Sequence, residues 1–432
     1  MIKAPKKIPV KNKQIPNIEN VEFYDFKKRP VRVNWFWLGI EKLVAPLVIG
    51  KYKKNFSVQK INMENVVEPY LLLATHMSFL DFATVNKATD CARFGFVMSL
   101  DGAKDYSNWL VRRVGTICKR KFTKDIILIK NMRYMLNTLK QNVGIYPEAK
   151  YSLDGTTSFL PDTLGKLAKL LKVDVVVARL NGNYLADSQW RQKKVCVPLR
   201  VDLIKVASKS EVELLTEAEL QKLIVDHFSY NEYQYQLDNN ILITEDYRAN
   251  HLNRLLYICP ECLTEYDMEG LGIYLTCRAC KASWILNENG TIHKTEGETK
   301  FSSIPDWFAW QKKMVRQEIL DNKYNVELKV NIATLPSSKG FYFHGDGVLT
   351  HNMEGFKLQG VIYNQEKILN FNAKILDGVH IEYNYKNCGS DVVIISNNDD
   401  SFWCFTYMYK DIITKISLAT DILFELYKNK LI

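Results

Sequence analysis

Three features that would classify this chain at once are missing from its sequence. No apolar run approaches the roughly 20 residues needed to span a bilayer. No G-x-S-x-G motif is present, so nothing indicates the nucleophilic serine of an α/β-hydrolase. Residues 1–30 are polar with several prolines, whereas a signal peptide needs an early apolar core. We therefore expect a cytoplasmic protein that has neither a nucleophilic serine of the G-x-S-x-G type nor a membrane-spanning helix.

A disulfide framework is also absent. Of the nine cysteines, five are scattered and odd in number, as is typical of a chain folded in a reducing compartment: Cys91, Cys118, Cys196, Cys388 and Cys404.

The excess of positive over negative charge is confined to one end of the chain. Residues 1–60 hold 14 Lys and Arg against 4 Asp and Glu, whereas the rest has 44 of each sign. A hydrophobic content of 47% over 432 residues allows two or three packed domains. The sequence predicts a basic, poorly ordered arm over residues 1–32, rather than a basic protein.

Residues 33–55 follow this arm and combine aromatic, apolar and basic side chains. Trp35 and Trp37 begin an apolar segment that Glu41, Lys42 and Pro46 interrupt. Aromatic rings beside lysines suit a segment lying on an anionic membrane surface. The alternative is a buried helix that covers the catalytic sheet.

The most informative motif is His76-x4-Asp81, directly after the apolar run Leu71 to Ala74. A strand ending there places His76 at the carboxyl edge of a sheet, where α/β proteins carry their chemistry. Ser78 is a suitable N-cap with Asp81 three residues on, which predicts a helix start. Asp81 can then orient the imidazole as a general base. The alternative is that His76 packs at a strand end and Asp81 only completes a capping box.

Three further blocks follow in order: Val114 to Lys121, Gly144 to Ser152 and Val173 to Gly182. Together with the His-Asp block they resemble the glycerolipid acyltransferases, the 1-acylglycerol-3-phosphate acyltransferase family, over roughly residues 60 to 205. The resemblance implies an α/β core with a mixed sheet flanked by helices. It also implies an acyl thioester donor, either acyl-CoA or acyl carrier protein, no organic cofactor, and a lysophospholipid acceptor, as in phospholipid biosynthesis.

The resemblance implies particular roles for residues in these blocks. His76 and Asp81 are the implied catalytic pair, and Glu148 is the third site residue, which positions the acceptor or supports the local turn. The alternative for Glu148 is a helix N-terminal carboxylate that follows a proline. The residues expected to bind the acceptor are Ser78, Gly115, Lys119, Arg120, Lys121, Pro147 and Lys150. For Arg120 and Lys121 the alternative is a solvated, basic strand end.

The third block departs from the family pattern Phe-Pro-Glu-Gly-Thr-Arg-Ser. Ala149 replaces the glycine, Lys150 the threonine and Tyr151 the arginine, which in the family helps to hold the acceptor's phosphate. Lys150 can replace the charge of that arginine but not the bidentate geometry of a guanidinium. In the fourth block Ala178 replaces the usual proline. The catalytic pair is retained, and acceptor recognition is altered.

A second motif consists of two C-x2-C pairs separated by fourteen residues: Cys259, Cys262, Cys277 and Cys280. This spacing predicts a structural four-cysteine zinc ribbon over residues 255–290. The alternative is disulfide pairing. The ribbon itself carries four carboxylates, Glu261, Glu265, Asp267 and Glu269, against Arg278 and Lys281, so nucleic acid is not an expected partner.

The remaining segments suggest accessory modules. We expect an acyltransferase domain over 56–250, a linking helix over 300–322 and a mainly β domain over 324–432. Seven short strands followed by one helix resemble a pleckstrin-homology or GRAM domain in element order only.

Two function classes fit this sequence. The first is a membrane-surface acyltransferase that acts on a lysophosphatidate-like acceptor. The second is a non-catalytic lipid-binding or scaffolding protein built on the same core.

Overall fold

The computed structural model describes residues 15–104, 107–123, 125–407 and 412–432. Its first unit is built on a seven-stranded mixed sheet, as the sequence predicts. The strands are β1 (Phe56–Ile61), β2 (Leu71–Ala74), β3 (Phe94–Ser99), β4 (Ile117–Lys119), β5 (Asn142–Ile145), β6 (Val175–Asn181) and β7 (Leu199–Ala207). Their spatial order is β1-β7-β6-β2-β5-β3-β4, and β6 with β7 is the antiparallel pair.

Strand β2 lies in the middle of this sheet, between β6 and β5. All four of its residues are buried, and successive side chains enter different hydrophobic clusters on the two faces. A continuous apolar run is typical of a parallel strand covered on both faces. The carboxyl end of β2 therefore meets the carboxyl ends of β5 and β6 at one edge of the sheet.

Nine helices accompany the sheet in the described residues: α1 (Trp35–Ile49), α2 (Asp81–Ala88), α3 (Asn108–Arg113), α4 (Ile126–Asn137), α5 (Leu164–Leu171), α6 (Asn183–Ala186), α7 (Lys209–Leu214), α8 (Glu217–Phe228) and α9 (Glu232–Asp238). Helix α8 begins with a capping box, in which the Thr216 side chain accepts from the N–H of Glu219 and the Glu219 side chain accepts from the N–H of Thr216. Within the described ranges, none of the helices is long and apolar enough to cross a membrane.

The N-terminal segment differs from the predicted poorly ordered arm. Residues 1–14 lie outside the described residues, but residues 15–33 pack against the rest of the chain. Tyr24 is buried, and its N–H donates to Pro336. Arg112 donates to the carbonyl oxygens of Asp25 and Lys28. The prediction was wrong for this part because a few buried aromatic contacts outweigh its polar composition.

The four-cysteine segment forms a small antiparallel sheet, followed by a helix. The elements are β8 (Met268–Leu271), β9 (Tyr274–Cys277), β10 (Ser283–Leu286), β11 (Ile292–Lys294) and α10 (Ile304–Leu320). Helix α10 is fixed to the segment before the first cysteine, since Gln311 donates to Leu255 and Trp307 donates to Ile258.

The C-terminal region has the predicted order of seven strands and a helix. Its elements are β12 (Asn325–Thr334), β13 (Tyr342–Asn352), β14 (Gly355–Ile362), β15 (Gln365–Asn372), β16 (His380–Glu382), β17 (Val392–Ser396), β18 (Ser401–Thr406) and α11 (Ile412–Lys428). The strands form one antiparallel sheet in the order β15-β14-β13-β12-β18-β17-β16. The similarity to pleckstrin-homology and GRAM domains stays a prediction. Short 3-10 turns occur at Ile18–Asn20, Gly50–Asn55, Leu252–Arg254 and Tyr385–Asn387.

Candidate active site

His76 lies two residues beyond the end of β2, and its ring contacts Asp81. The Nδ1 atom is 3.0 Å from Oδ2 of Asp81, which is almost fully buried. The same carboxylate oxygen accepts from the backbone N–H groups of Met77 at 2.6 Å and Ser78 at 3.0 Å. A backbone N–H can only donate a hydrogen bond, so this oxygen of Asp81 is the acceptor in both contacts. Asp81 is therefore fixed as an acceptor for the Nδ1 proton of His76.

Asn183 holds the other oxygen of Asp81, a contact that the sequence did not reveal. Its Nδ2 donates to Oδ1 of Asp81 at 2.8 Å and to Thr84 at 3.0 Å. Asn183 begins α6, directly after the fourth block ends at Gly182. The only sequence signal for Asn183 is its position directly after that block.

Helix α2 begins at Asp81 with Leu80 as its N-cap, two residues later than the predicted N-cap Ser78. Ser78 lies instead in a turn, where its Oγ accepts from the N–H of Leu80 at 3.2 Å. The carboxylate of Asp81 folds back onto this turn rather than completing a capping box. The turn therefore places the imidazole and carboxylate side by side.

Glu148 connects the third block to the backbone of His76. One carboxylate oxygen accepts from the His76 N–H at 2.8 Å, and the other accepts from the Ser158 N–H and the Tyr230 hydroxyl, both at 2.8 Å. The N–H of Ser152 donates to the carbonyl oxygen of His76 at 2.9 Å. The third block thus holds both backbone groups of His76, and Glu148 supports the local turn.

Two tyrosines flank the imidazole. The ring of Tyr146 stacks on that of His76 with centroids 4.4 Å apart, and the ring of Tyr151 lies at 4.3 Å. The side chain of His76 is 19% exposed. Burial lowers the pKa of His76, although Asp81 acts in the opposite direction. At neutral pH the imidazole is therefore neutral, and none of the described residues hydrogen-bonds its Nε2.

Two residues of the sequence blocks have a left-handed backbone conformation. Gly115 has a φ of +76°, and a Cβ there would lie 2.4 Å from Val33 and 2.8 Å from the carbonyl oxygen of Phe94. Ala149, which replaces the family glycine, has a φ of +57°. Pro147 is buried beside it. A left-handed backbone is unfavourable for any residue with a Cβ, which explains the glycine of the family pattern.

The predicted acceptor-binding cations have protein partners. Arg120 is buried and donates to the carbonyl oxygens of Leu335 and Asp399, at 3.3 Å and 2.8 Å, and to Ser401. Lys150 forms an ion pair of 2.6 Å with Asp421 of α11. Both residues therefore join the core to the C-terminal region.

Lys119 and Lys121 lie at the same strand end. Lys121 contacts Asp101 at 3.3 Å. Burial lowers the pKa of Lys119, and the charges of Asp377 and Asp125 act against this. Each of these two cations therefore also faces a carboxylate of the protein.

The four predicted zinc ligands converge on one point. Their sulfur atoms lie within 4.8 Å of one another, with Cys259–Cys280 and Cys262–Cys277 each at 3.7 Å. Zn–S bonds of about 2.3 Å in a tetrahedron require sulfur separations of about 3.8 Å. The cluster therefore has the dimensions of a tetrahedral metal site and contains no disulfide.

Three comparisons with known proteins concern this chain. No curated protein matches the chain. Among solved structures it is similar to PlsC, the 1-acyl-sn-glycerophosphate (LPA) acyltransferase from Thermotoga maritima, at 16% identity and a TM-score of 0.34, over 44% of this chain and 78% of that one. The Acyltransferase family model matches residues 57–179, which include His76, Asp81 and Glu148. Over this segment the core is therefore acyltransferase-like, on the strength of the family match.

Proposed function

We propose that the protein transfers a fatty acyl group from a thioester, acyl-CoA or acyl carrier protein, to a free hydroxyl of a lipid acceptor. The observation that carries the proposal is the 3.0 Å contact between His76 Nδ1 and Asp81 Oδ2 within a segment that matches the Acyltransferase family. Asp81 holds the proton on Nδ1, so Nε2 is the basic nitrogen. General-base assistance of this kind accelerates a reaction by about 10²- to 10⁴-fold.

The proposed reaction is a direct transfer. Nε2 of His76 takes the proton of the acceptor hydroxyl as its oxygen attacks the thioester carbonyl carbon. The tetrahedral intermediate collapses with cleavage of the C–S bond, and the imidazolium returns the proton to the departing sulfur. The products are an ester and a free thiol. Glu148 acts on this step only through the His76 backbone, so it is a positioning residue.

A lipid surface is the proposed source of the acceptor. Helix α1 exposes Trp35, Leu43 and Leu47 by 79%, 72% and 77%. Phe79, between His76 and Asp81 in the chain, is 72% exposed. Apolar and aromatic side chains beside a basic segment favour peripheral binding to anionic membranes. We therefore propose that the protein is cytoplasmic and binds peripherally to a membrane surface.

The four cysteines are proposed to hold a structural zinc ion. Residues in and next to the ribbon contact both other units. The Arg254 guanidinium donates to the carbonyl oxygen of Trp190 in the core at 3.4 Å, and its own carbonyl oxygen accepts from Thr414 of α11. Glu265 pairs with Lys415 of α11 at 3.0 Å. A four-thiolate site leaves no position for a reacting water. Its role is therefore to brace the core against the C-terminal region.

The proposal is tested by incubating the purified chain with palmitoyl-CoA and a panel of hydroxyl lipids and detecting acylated products by mass spectrometry. We expect product with the wild type and a loss of at least 100-fold with His76→Ala. His293→Ala is the matched control, because His293 is an exposed histidine of the ribbon. Equal activity of His76→Ala and wild type would overturn the mechanism.

A second candidate is the non-catalytic scaffold. It is favoured by the limited exposure of His76 between Tyr146 and Tyr151 and by the use of Arg120 and Lys150 as contacts to the C-terminal region. In that case the wild type forms no product with any acceptor but still binds lipid vesicles.

A further inference from the structure

Four polar side chains share one face of the antiparallel β6–β7 pair, near the carboxyl end of β6. Arg179 lies directly opposite Asp202, and Asn181 lies directly opposite Arg200. Because residues two apart in a strand point to the same face, these four side chains form one group. Val177, the preceding residue on this face, is fully buried, whereas the side chains of Arg179 and Arg200 are 31% and 32% exposed. The group therefore lies where this face of the sheet opens to solvent.

Both guanidinium groups converge on the carboxylate of Asp202. The Nη2 atoms of Arg179 and Arg200 each donate to Oδ2 of Asp202 at 3.4 Å, and Nε of Arg200 is 2.9 Å from Oδ1. The side chain of Asn181 donates to the same Oδ2 at 2.9 Å. The carboxylate itself is buried. Two cations therefore share one buried anion, and the group keeps an excess of one positive charge.

The two arginines retain donors that the protein does not use. A guanidinium has five N–H groups arranged as a planar fork. Within the described part of the chain, the Nη1 group of neither Arg179 nor Arg200 has an acceptor. The ring centre of Tyr235 lies 5.1 Å from the guanidinium carbon of Arg200, a contact that helps to fix this side chain. The Nη1 groups are therefore available to an acceptor from outside the protein.

Strand β6 connects this group to the proposed catalytic pair. Asn183, four residues after Arg179, donates to Oδ1 of Asp81 at 2.8 Å. At about 3.3 Å per residue, four residues of extended chain span at most about 13 Å. A substrate that reacts at His76 can therefore place another of its groups at the arginines.

We propose that Arg179 and Arg200 form a phosphate-binding site for a substrate of the acyl transfer. This inference rests on the proposed function. Parallel N–H groups let a guanidinium bind two phosphate oxygens at once, and two guanidinium groups with an excess positive charge suit an anion. Arg120 and Lys150, which the sequence predicts as acceptor-binding cations, contact the C-terminal region instead. The phosphate has two possible sources, coenzyme A on the donor side and the head group of a lysophosphatidate-like acceptor.

Titration calorimetry tests the site, with coenzyme A in one arm and glycerol 3-phosphate in the other. We expect the wild type to bind at least one of them with a Kd below about 1 mM. Arg179→Gln and Arg200→Gln should each raise that Kd at least about tenfold, because each removes charge-assisted hydrogen bonds. Arg316→Gln is the matched control and should leave the Kd unchanged, since Arg316 is also 32% exposed and lies 3.0 Å from a carboxylate, that of Glu425. The arm that responds identifies the source of the phosphate.

Two results overturn the inference: no binding of either ligand by the wild type, or a Kd in both arginine variants within about twofold of the wild-type value. Urea unfolding is measured in parallel, because each glutamine variant removes one partner of the buried Asp202. If a glutamine variant does not fold, the lysine variant at the same position replaces it. Lysine keeps the charge beside Asp202 but lacks the parallel donors, so a weaker affinity is expected there as well.

Calorimetry requires no turnover, so this inference and the proposed function fail separately. A wild type that forms no acyl product but loses phosphate binding in both arginine variants contradicts the proposed function alone. A wild type that forms product, with KM values for both substrates unchanged in Arg179→Gln and Arg200→Gln, contradicts the phosphate site alone.

Discussion

The carboxylate of Glu148 accepts a hydrogen bond from the backbone N–H of His76 at 2.8 Å, across 72 residues of sequence. This contact ties the end of β5 to the end of β2, so that the Pro-Glu block positions the proposed base. Glu148 does not need to touch the acceptor to matter for the reaction.

Glu148 makes stability depend on pH. Burial raises its pKa from 4.5 to about 7, against hydrogen bonds from His76, Ser158 and Tyr230. Between pH 4.5 and about pH 7, Glu148 is protonated in the folded state but ionised in the unfolded state. The stabilisation that this proton provides is therefore lost as the pH rises through about 7. We expect the free energy of unfolding to fall by roughly 1–3 kcal/mol more in the wild type than in Glu148→Gln between pH 5 and pH 8. Urea unfolding at both pH values measures this, and parallel losses in the two proteins would refute it.

Ala149 is predicted to be a strained residue. Its φ of +57° is in the left-handed region, where a Cβ costs about 1–2 kcal/mol. Ala149→Gly should therefore raise the free energy of unfolding, by about 1 kcal/mol after the larger entropy of the unfolded glycine chain is subtracted. Ala168→Gly within α5 is the control, and it should lower stability by about 1 kcal/mol. Equal losses in both variants would show that the turn at Ala149 is not strained.

Arg120 is predicted to act in stability rather than in acceptor binding. Its guanidinium donates to backbone carbonyl oxygens of residues 335 and 399 and is almost fully buried. Arg120→Ala leaves those groups without a donor and the buried carboxylate of Asp400, 3.9 Å away, without its charge partner, and should cost about 3–5 kcal/mol. Arg113→Ala, at an exposed position of α3, is the matched control. If Arg120→Ala were as stable as that control, Arg120 would again be a candidate for binding the acceptor.

The cysteine cluster predicts one zinc ion per chain. Elemental analysis of the purified protein should find it, and Cys280→Ser should both lose the metal and lower Tm, because a structural zinc contributes to folding directly. Cys196→Ser changes an exposed cysteine outside the cluster and should do neither. A metal-free chain with an unchanged Tm would mean that the cluster folds without zinc.

The four sequence blocks and the order of elements could be predicted because their signals are local. The apolar strands, the His76 and Asp81 spacing and the paired cysteines each lie within a few residues of one another. The partners of Arg120 lie more than 200 residues away in sequence, where neither periodicity nor a motif connects them. The same is true of Lys150 and Asp421, so no signal in the sequence indicated that Arg120 and Lys150 contact the C-terminal region.

The burial of Tyr24 could not be predicted from the sequence for a related reason. A polar, proline-containing segment becomes ordered when one or two aromatic side chains find a pocket, and composition averages over such residues. Asn183 shows the converse case, because its importance comes from a single 2.8 Å contact with Asp81 that only the fold creates.

The central claim is that His76 and Asp81 act as one unit, and a double-mutant cycle on kcat/KM for acyl transfer tests it most directly. Residues that act together show strongly non-additive losses. We predict that His76→Ala/Asp81→Asn is no slower than His76→Ala alone, although Asp81→Asn by itself reduces kcat/KM by about 10²-fold or more. Losses that multiply in the double variant would contradict the claim.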